Sequence, residues 1–281
     1  MVVEPKILNF SNTLIGTLMF VRDINSLYTR LYGESLTRIK GKPPRINFEE
    51  LEGIQTYVEV GPGISVYPYQ IAQLLSREGE KRVELILVEP EESVRKFHQT
   101  YVEKGFSSAS DYFEKTYGIK VPRELYELKQ IDTSRFDVII QEGRVEEGIP
   151  CGDLVIASYV FPYLETTEDV CRGIENVYKS SGLFGIIVSL RDRINRAVKG
   201  FIRRECYVYS NWEDKKGVEL TSFIKEMDES YGKKGALFLA HSKRMVLDPL
   251  DMRYEWENLN LIISNKNLIR RRFLAWLRLR S

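Results

Sequence analysis

The segment Thr56-Tyr-Val-Glu-Val-Gly61-Pro-Gly63-Ile-Ser65 places a short apolar strand, an acid and a glycine-pinned turn in direct succession. Tyr57, Val58 and Val60 are β-formers, and the Gly-Pro-Gly that follows can hold positive φ and bring a ligand against bare backbone. Val66, Ile71, Leu74 and Leu75 then recur at a helical spacing, so the chain should pass from strand through turn into a helix N-terminus. Strand, glycine loop and helix in that order favour a nucleotide ligand, although a lone Gly-x-Gly also serves plain turns.

The run Val83-Glu-Leu-Ile-Leu-Val-Glu89 is a second apolar strand ending in an acid. A carboxylate at such a tip can accept hydrogen bonds from both hydroxyls of a ribose; the alternative is a solvated acid among Glu91 and Glu92. Dinucleotide enzymes use the same geometry, but their fingerprint wants a third glycine three residues after the second, where this chain has Val66. Glu59, two residues before Gly61, would repel a doubly anionic pyrophosphate. It suits a ligand with a cationic end.

These residues together resemble class I S-adenosylmethionine-dependent methyltransferases. Glu59-Val-Gly61-Pro-Gly63 looks like their first motif, with Ser65 where a third glycine is usual, and Glu89 matches their ribose-binding acid. Cys151-Gly-Asp153-Leu-Val-Ile-Ala-Ser158-Tyr159-Val-Phe-Pro-Tyr163-Leu is similar to their Asp-led fourth strand, and Ser180-Ser-Gly182-Leu-Phe-Gly-Ile-Ile-Val-Ser-Leu190 to their fifth. The resemblance covers roughly residues 50 to 190. It implies a doubly wound, Rossmann-like α/β sheet, mostly parallel with a terminal antiparallel strand, and S-adenosylmethionine as cofactor. The cofactor-binding residues it implies are Glu59, Gly61, Pro62, Gly63, Ser65, Glu89, Ser158 and Tyr159. Phe136 to Gln141 is read as strand three, although Asp137 would also let it pass as the Asp-led strand. Gln141 and Glu142 then stand at its tip, within reach of an adenine amino group.

With 281 residues, 43% of them hydrophobic, the chain can bury a sizeable core. The 41 basic and 40 acidic residues nearly cancel, so no global field recruits nucleic acid or an acidic membrane. Only six glutamines among many Lys, Arg and Glu fit a thermophilic source. Cys151, Cys171 and Cys206 are far apart and form no zinc pattern, which suits a reducing, cytoplasmic setting. The apolar run Thr13 to Val21 is about half the ~20 residues a membrane span needs.

Leu14, Leu18, Val21, Ile24, Tyr28 and Leu31 predict an amphipathic helix ending near Gly33, making residues 1 to 45 a helical N-terminal extension or lid. Residues 46 to 281 form the cofactor domain, with an insertion at about 105 to 133 and a C-terminal part, 200 to 281, that completes sheet and pocket. Ser110 to Lys115 and Pro122 to Lys129 read as short helices within the insertion, and Asn211 to Tyr231 as partly helical. Ala236 to Ala240 and Leu259 to Ile263 are expected to close the sheet as an antiparallel pair.

Methyl transfer is an in-line displacement, so a protein mainly positions the nucleophile and excludes water; a base is optional. Tyr159, Tyr163 and His241 are the candidate catalytic residues, while His98 is expected on a helix surface. Where resembling enzymes that methylate exocyclic or amide nitrogens carry Asn-Pro-Pro-Tyr, this chain has Ser158-Tyr-Val-Phe-Pro-Tyr163, which argues against DNA-base methylation. No metal is expected. The acceptor read from this composition is a small molecule. An RNA acceptor is the alternative, through Arg270, Arg271, Arg272, Arg278 and Arg280 with Phe273 and Trp276 interleaved; so is a non-catalytic protein that uses the cofactor fold to bind a partner.

Overall fold

The computed structural model describes residues 36–40, 53–64, 66–78, 82–118, 131–164, 166–197, 203–206, 216–231, 234–247 and 253–265. The N-terminal helix expected between Leu14 and Leu31, the short helix from Pro122 and the basic C-terminus lie outside these residues.

Among the described residues nine strands make one sheet: β1 (Leu36–Lys40), β2 (Thr56–Val60), β3 (Val83–Val88), β4 (Phe136–Gln141), β5 (Gly152–Ser158), β6 (Ser181–Ala197), β7 (Arg203–Cys206), β8 (Lys234–Leu247) and β9 (Arg253–Asn265). The helices are α1 (Tyr67–Glu78), α2 (Glu92–Lys104), α3 (Phe106–Tyr117), α4 (Thr167–Ser180) and α5 (Lys216–Tyr231). Across the sheet the order is β1-β8-β9-β6-β5-β2-β3-β4, with β7 pairing β6. Strands β4-β3-β2-β5-β6 are mutually parallel. Numbered by occurrence they read 3-2-1-4-5, the doubly wound Rossmann order, whose direction reverses between β2 and β5.

The expectation of a mostly parallel sheet closed by one terminal antiparallel strand needs correction. Strands β9, β8, β1 and β7 all join antiparallel, so the parallel block is flanked by an antiparallel extension of comparable width. Within it Leu237 faces Ile263 and Leu239 faces Leu261, the pairing expected for the two C-terminal runs. The strand at Leu36–Lys40 was not anticipated; it is short and follows a stretch whose helical periodicity dominates the local pattern.

Alternation along the strands supplies both faces of the sheet. Tyr57, Leu85, Leu87, Phe136, Leu154 and Ile156 pack with α1, α2 and α3 through Tyr69, Ala72, Phe97, Ala109 and Phe113. Val58, Val60, Ile86, Val88, Val155 and Ala157 turn to the other face, against Val170, Ile174 and Val177 of α4 and Ile224 of α5. Because β2 and β5 are covered on both sides, they carry apolar residues on both faces, interrupted in β2 by Glu59. β4 lies at the sheet's edge and leaves Ile139 exposed. The segment read as an insertion therefore contributes core through α3.

Two local devices fix the ends of these elements. Thr166 caps α4, its hydroxyl accepting from the Asp169 amide at 3.1 Å. Asp153 Oδ2 accepts the amides of Gln55 at 2.8 Å and Thr56 at 3.0 Å, pinning the start of β2 to β5. No helix among the described residues is long and apolar enough to cross a membrane.

Candidate functional site

The carboxyl ends of β2 and β5, where the strand order reverses, are where ligands bind in open α/β sheets. Gly61 and Gly63 follow β2 with φ of 63° and 54°, in the left-handed region that favours glycine. The Gly61 amide donates to the Val88 carbonyl at 2.8 Å, tying the turn to the end of β3. A Cβ on Gly61 would lie 2.4 Å from Val160 Cγ2, so the loops after β2 and β5 close on each other with no room for a side chain. Pro62 is buried between the two glycines.

Glu89 sits at the tip of β3 and is 7% exposed. Its Oε2 accepts the Gly63 amide at 3.3 Å and its Oε1 the Glu91 amide at 3.2 Å. Burial raises its pKa to about 7, and the two amides pull the other way. Each carboxylate oxygen has a second lone pair, so these contacts leave acceptor capacity for a ligand's hydroxyls.

Glu59 is fully buried on β2. The Tyr57 hydroxyl donates to its Oε2, and Ser158 lies alongside. Burial drives its pKa well above the usual carboxylate range, only partly offset by these two hydroxyls. Ser158 Oγ is itself buried and makes no hydrogen bond of ordinary geometry among the described residues. The next residue, Tyr159, has φ of 59°, a left-handed conformation that costs a bulky side chain about 1–3 kcal/mol. Its ring packs against the core on the α1 face, while Val160 turns to the opposite face. Tyr163 ends a short 3-10 turn, Phe161–Tyr163, with its amide on the Val160 carbonyl at 3.0 Å.

Several expected site residues make contacts of their own within the protein. The main-chain carbonyl of Gln141 accepts the Glu89 amide at 3.1 Å, so β4 supports the acid at β3's tip. Glu142 is exposed and forms an ion pair with Arg95 at 3.0 Å, whose guanidinium also donates to the carbonyls of Glu89 and Pro90. His241 lies in β8 opposite Leu259, and β9 and β6 separate β8 from β5; the sheet does not bring it to the glycine turn. Ser65 and the arginines from 270 onward lie outside the described residues.

His98 corrects the expectation of a surface residue. It is fully buried on α2, its Nε2 2.6 Å from the Gly63 carbonyl and its Nδ1 2.9 Å from the Tyr69 hydroxyl. A carbonyl only accepts, so Nε2 carries the proton and the Tyr69 hydroxyl donates to Nδ1. Burial lowers the His98 pKa to about 4 and keeps the ring neutral. The signal was readable: Val94, Phe97, His98 and Tyr101 share the buried stripe of α2.

No protein-family model and no curated protein matches the sequence. Solved structures with related architecture include the magnesium protoporphyrin IX methyltransferase of Synechocystis PCC 6803 with bound S-adenosylhomocysteine, 12% identical over 91% of this chain and 88% of that one, TM-score 0.39. A SAM-dependent methyltransferase from Methanosarcina mazei is 6% identical over 76% of this chain and 93% of its own, TM-score 0.41. An N-methyltransferase from Bradyrhizobium japonicum WM9, in complex with S-adenosylhomocysteine, is 11% identical over 78% and 84%, TM-score 0.32. These superpositions are loose, and the functional reading rests on the chain's own residues.

Proposed function

We propose that this chain is an S-adenosylmethionine-dependent methyltransferase acting on a small-molecule acceptor. The observation that carries the reading is the pair of buried acids, Glu59 and Glu89, beside a positive-φ glycine turn at the point where the strand order reverses. Two carboxyl groups held out of water by burial offer a pyrophosphate no positive charge, whereas a ligand with an ammonium and a sulfonium would stabilise their ionised forms. The close approach at Gly61, where a Cβ would meet Val160, packs the loops after β2 and β5 together at the edge of this site.

When bound, the cofactor supplies an electrophilic methyl group on a cationic sulfur. Gly61 and Gly63 would shape the turn it lies against, with Pro62 stiffening that turn. Glu89 would accept from the ribose hydroxyls with its remaining lone pairs, and the Gln141 carbonyl keeps that acid in place. Fully buried, Glu59 would act through its field rather than by contact, and the Ser158 hydroxyl beside it at the end of β5 offers a polar partner. Tyr163, just past β5, would face the acceptor and exclude water, with Tyr159 packed on the core beside it. No residue is assigned as a base, because an acceptor whose proton leaves to solvent needs none.

Release of S-adenosylhomocysteine, measured across panels of phenolic, carboxylic and amine acceptors, tests the reading. Turnover with at least one acceptor supports it. Cofactor binding without turnover on any of them would favour a partner-binding protein.

A further inference from the structure

We propose that His98 is a positioning residue of the glycine turn, fixing the direction in which the Gly63–Ile64 peptide faces. Three elements meet here: the turn after β2, α1 through Tyr69, and α2 through His98. Both main-chain polar groups of Gly63 are held by side chains, the amide by Glu89 and the carbonyl by His98. Carbonyl and amide point to opposite sides of a trans peptide plane. Anchoring the Gly63 carbonyl to a buried ring therefore turns the Ile64 amide away from His98. At φ of 54° Gly63 is on backbone that glycine can leave at little steric cost, so the turn needs an external restraint to keep one peptide orientation.

The restraint is itself oriented. Tyr69 donates to Nδ1, which leaves Nε2–H as the ring's donor toward Gly63. Phe97 meets the imidazole edge-on at 5.3 Å between ring centres, and the Tyr69 ring stands 5.7 Å away. Tyr101 packs on Tyr69 at 4.5 Å, so the ring environment is aromatic and dry. A hydrogen bond in such surroundings is costly to leave unmade. The functional consequence rests on the cofactor reading above: a turn free to flip its 63–64 peptide presents the wrong backbone groups to the ligand.

The test uses the full chain and the variants His98→Gln, His98→Phe and Tyr69→Phe, each checked for folding by circular dichroism. Nitrogen chemical shifts of His98 report the tautomer, amide exchange of Gly63 and Ile64 reports the turn, and titration with S-adenosylhomocysteine reports the site. The proposal expects an Nε2-protonated ring in the wild type. In folded His98→Phe it expects faster exchange at Gly63 and affinity weakened about tenfold or more. His98→Gln, whose amide can still donate to the Gly63 carbonyl, should recover most of both. Folded His98→Phe with unchanged exchange and unchanged affinity would overturn it, as would an Nδ1-protonated ring in the wild type. A wild-type chain that does not bind S-adenosylhomocysteine, while His98→Phe still loosens Gly63, would support the positioning role and count against the cofactor assignment.

Discussion

The carboxylate of Glu89 accepts the amide of Gly63 across 3.3 Å, joining the acid at the tip of β3 to the turn at the tip of β2. One side chain thus shapes the loop and presents acceptor atoms beside it. Replacing Glu89 with Ala removes both functions, and cofactor binding should weaken by about 1–3 kcal/mol, the scale of a lost charge-assisted hydrogen-bonding group. Calorimetric titration of the folded variant with S-adenosylhomocysteine checks this; wild-type affinity would remove Glu89 from the site.

Gly61→Ala should destabilise the protein by about 2 kcal/mol or more, because the new Cβ meets Val160 and occupies left-handed backbone. Val160→Ala in the same chain should restore part of that loss, since it relieves the clash and leaves the backbone cost. Chemical denaturation of the single and double variants measures the difference. Equal stability of the two would mean that the loops after β2 and β5 do not touch there.

Asp153→Ala separates stability from binding. Asp153 receives the amides of Gln55 and Thr56 at the amino end of β2, away from the glycine turn. Its loss should cost about 1–3 kcal/mol of stability and leave cofactor affinity within error of the wild type. A large change in affinity at unchanged stability would place Asp153 in the site after all.

The two buried titratable groups on Gly63 give opposite pH dependences. Glu89 moves from 4.5 to about 7, so the folded protein keeps a proton that the unfolded chain has already released. Its contribution to stability is full below pH 4.5 and is lost as pH rises through 7, by about 3 kcal/mol at most. His98 moves from 6.5 to about 4, so the unfolded chain takes up a proton first as pH falls. Its contribution is full above pH 6.5 and is lost as pH falls through 4, by a similar amount of about 3 kcal/mol. Denaturation midpoints across pH should therefore show the upper loss flattened in Glu89→Gln and the lower loss flattened in His98→Gln. Parallel profiles for wild type and both variants would contradict the assigned shifts.

What could be read from the chain followed the range of the interactions involved. The glycine turn, β2 and β3 are local patterns, and Glu59, Gly61, Gly63 and Glu89 do converge where the strand order reverses. Glu142 stands just past the end of β4 as expected, but its ion pair with Arg95, on a helix far away in sequence, could not be read locally. His98 was misplaced because its residue type was weighed above its position on the buried stripe of α2. The Asp153 position matched an expected motif, yet the side chain serves the opposite end of β2. The width of the antiparallel extension was missed because pairing partners such as β1 and β8 are long-range neighbours that no local pattern announces.

Burial holds the Glu59 carboxyl well above its usual pKa, and a cation placed near it would draw the value down again. Titration with S-adenosylmethionine in buffers of different ionisation enthalpy tests the central claim most directly, with NADH as the control ligand. The account predicts micromolar binding of S-adenosylmethionine and S-adenosylhomocysteine, none of NADH, and a release of protons that Glu59→Gln reduces. A folded chain that binds neither cofactor form, or that binds NADH in their place, would contradict it.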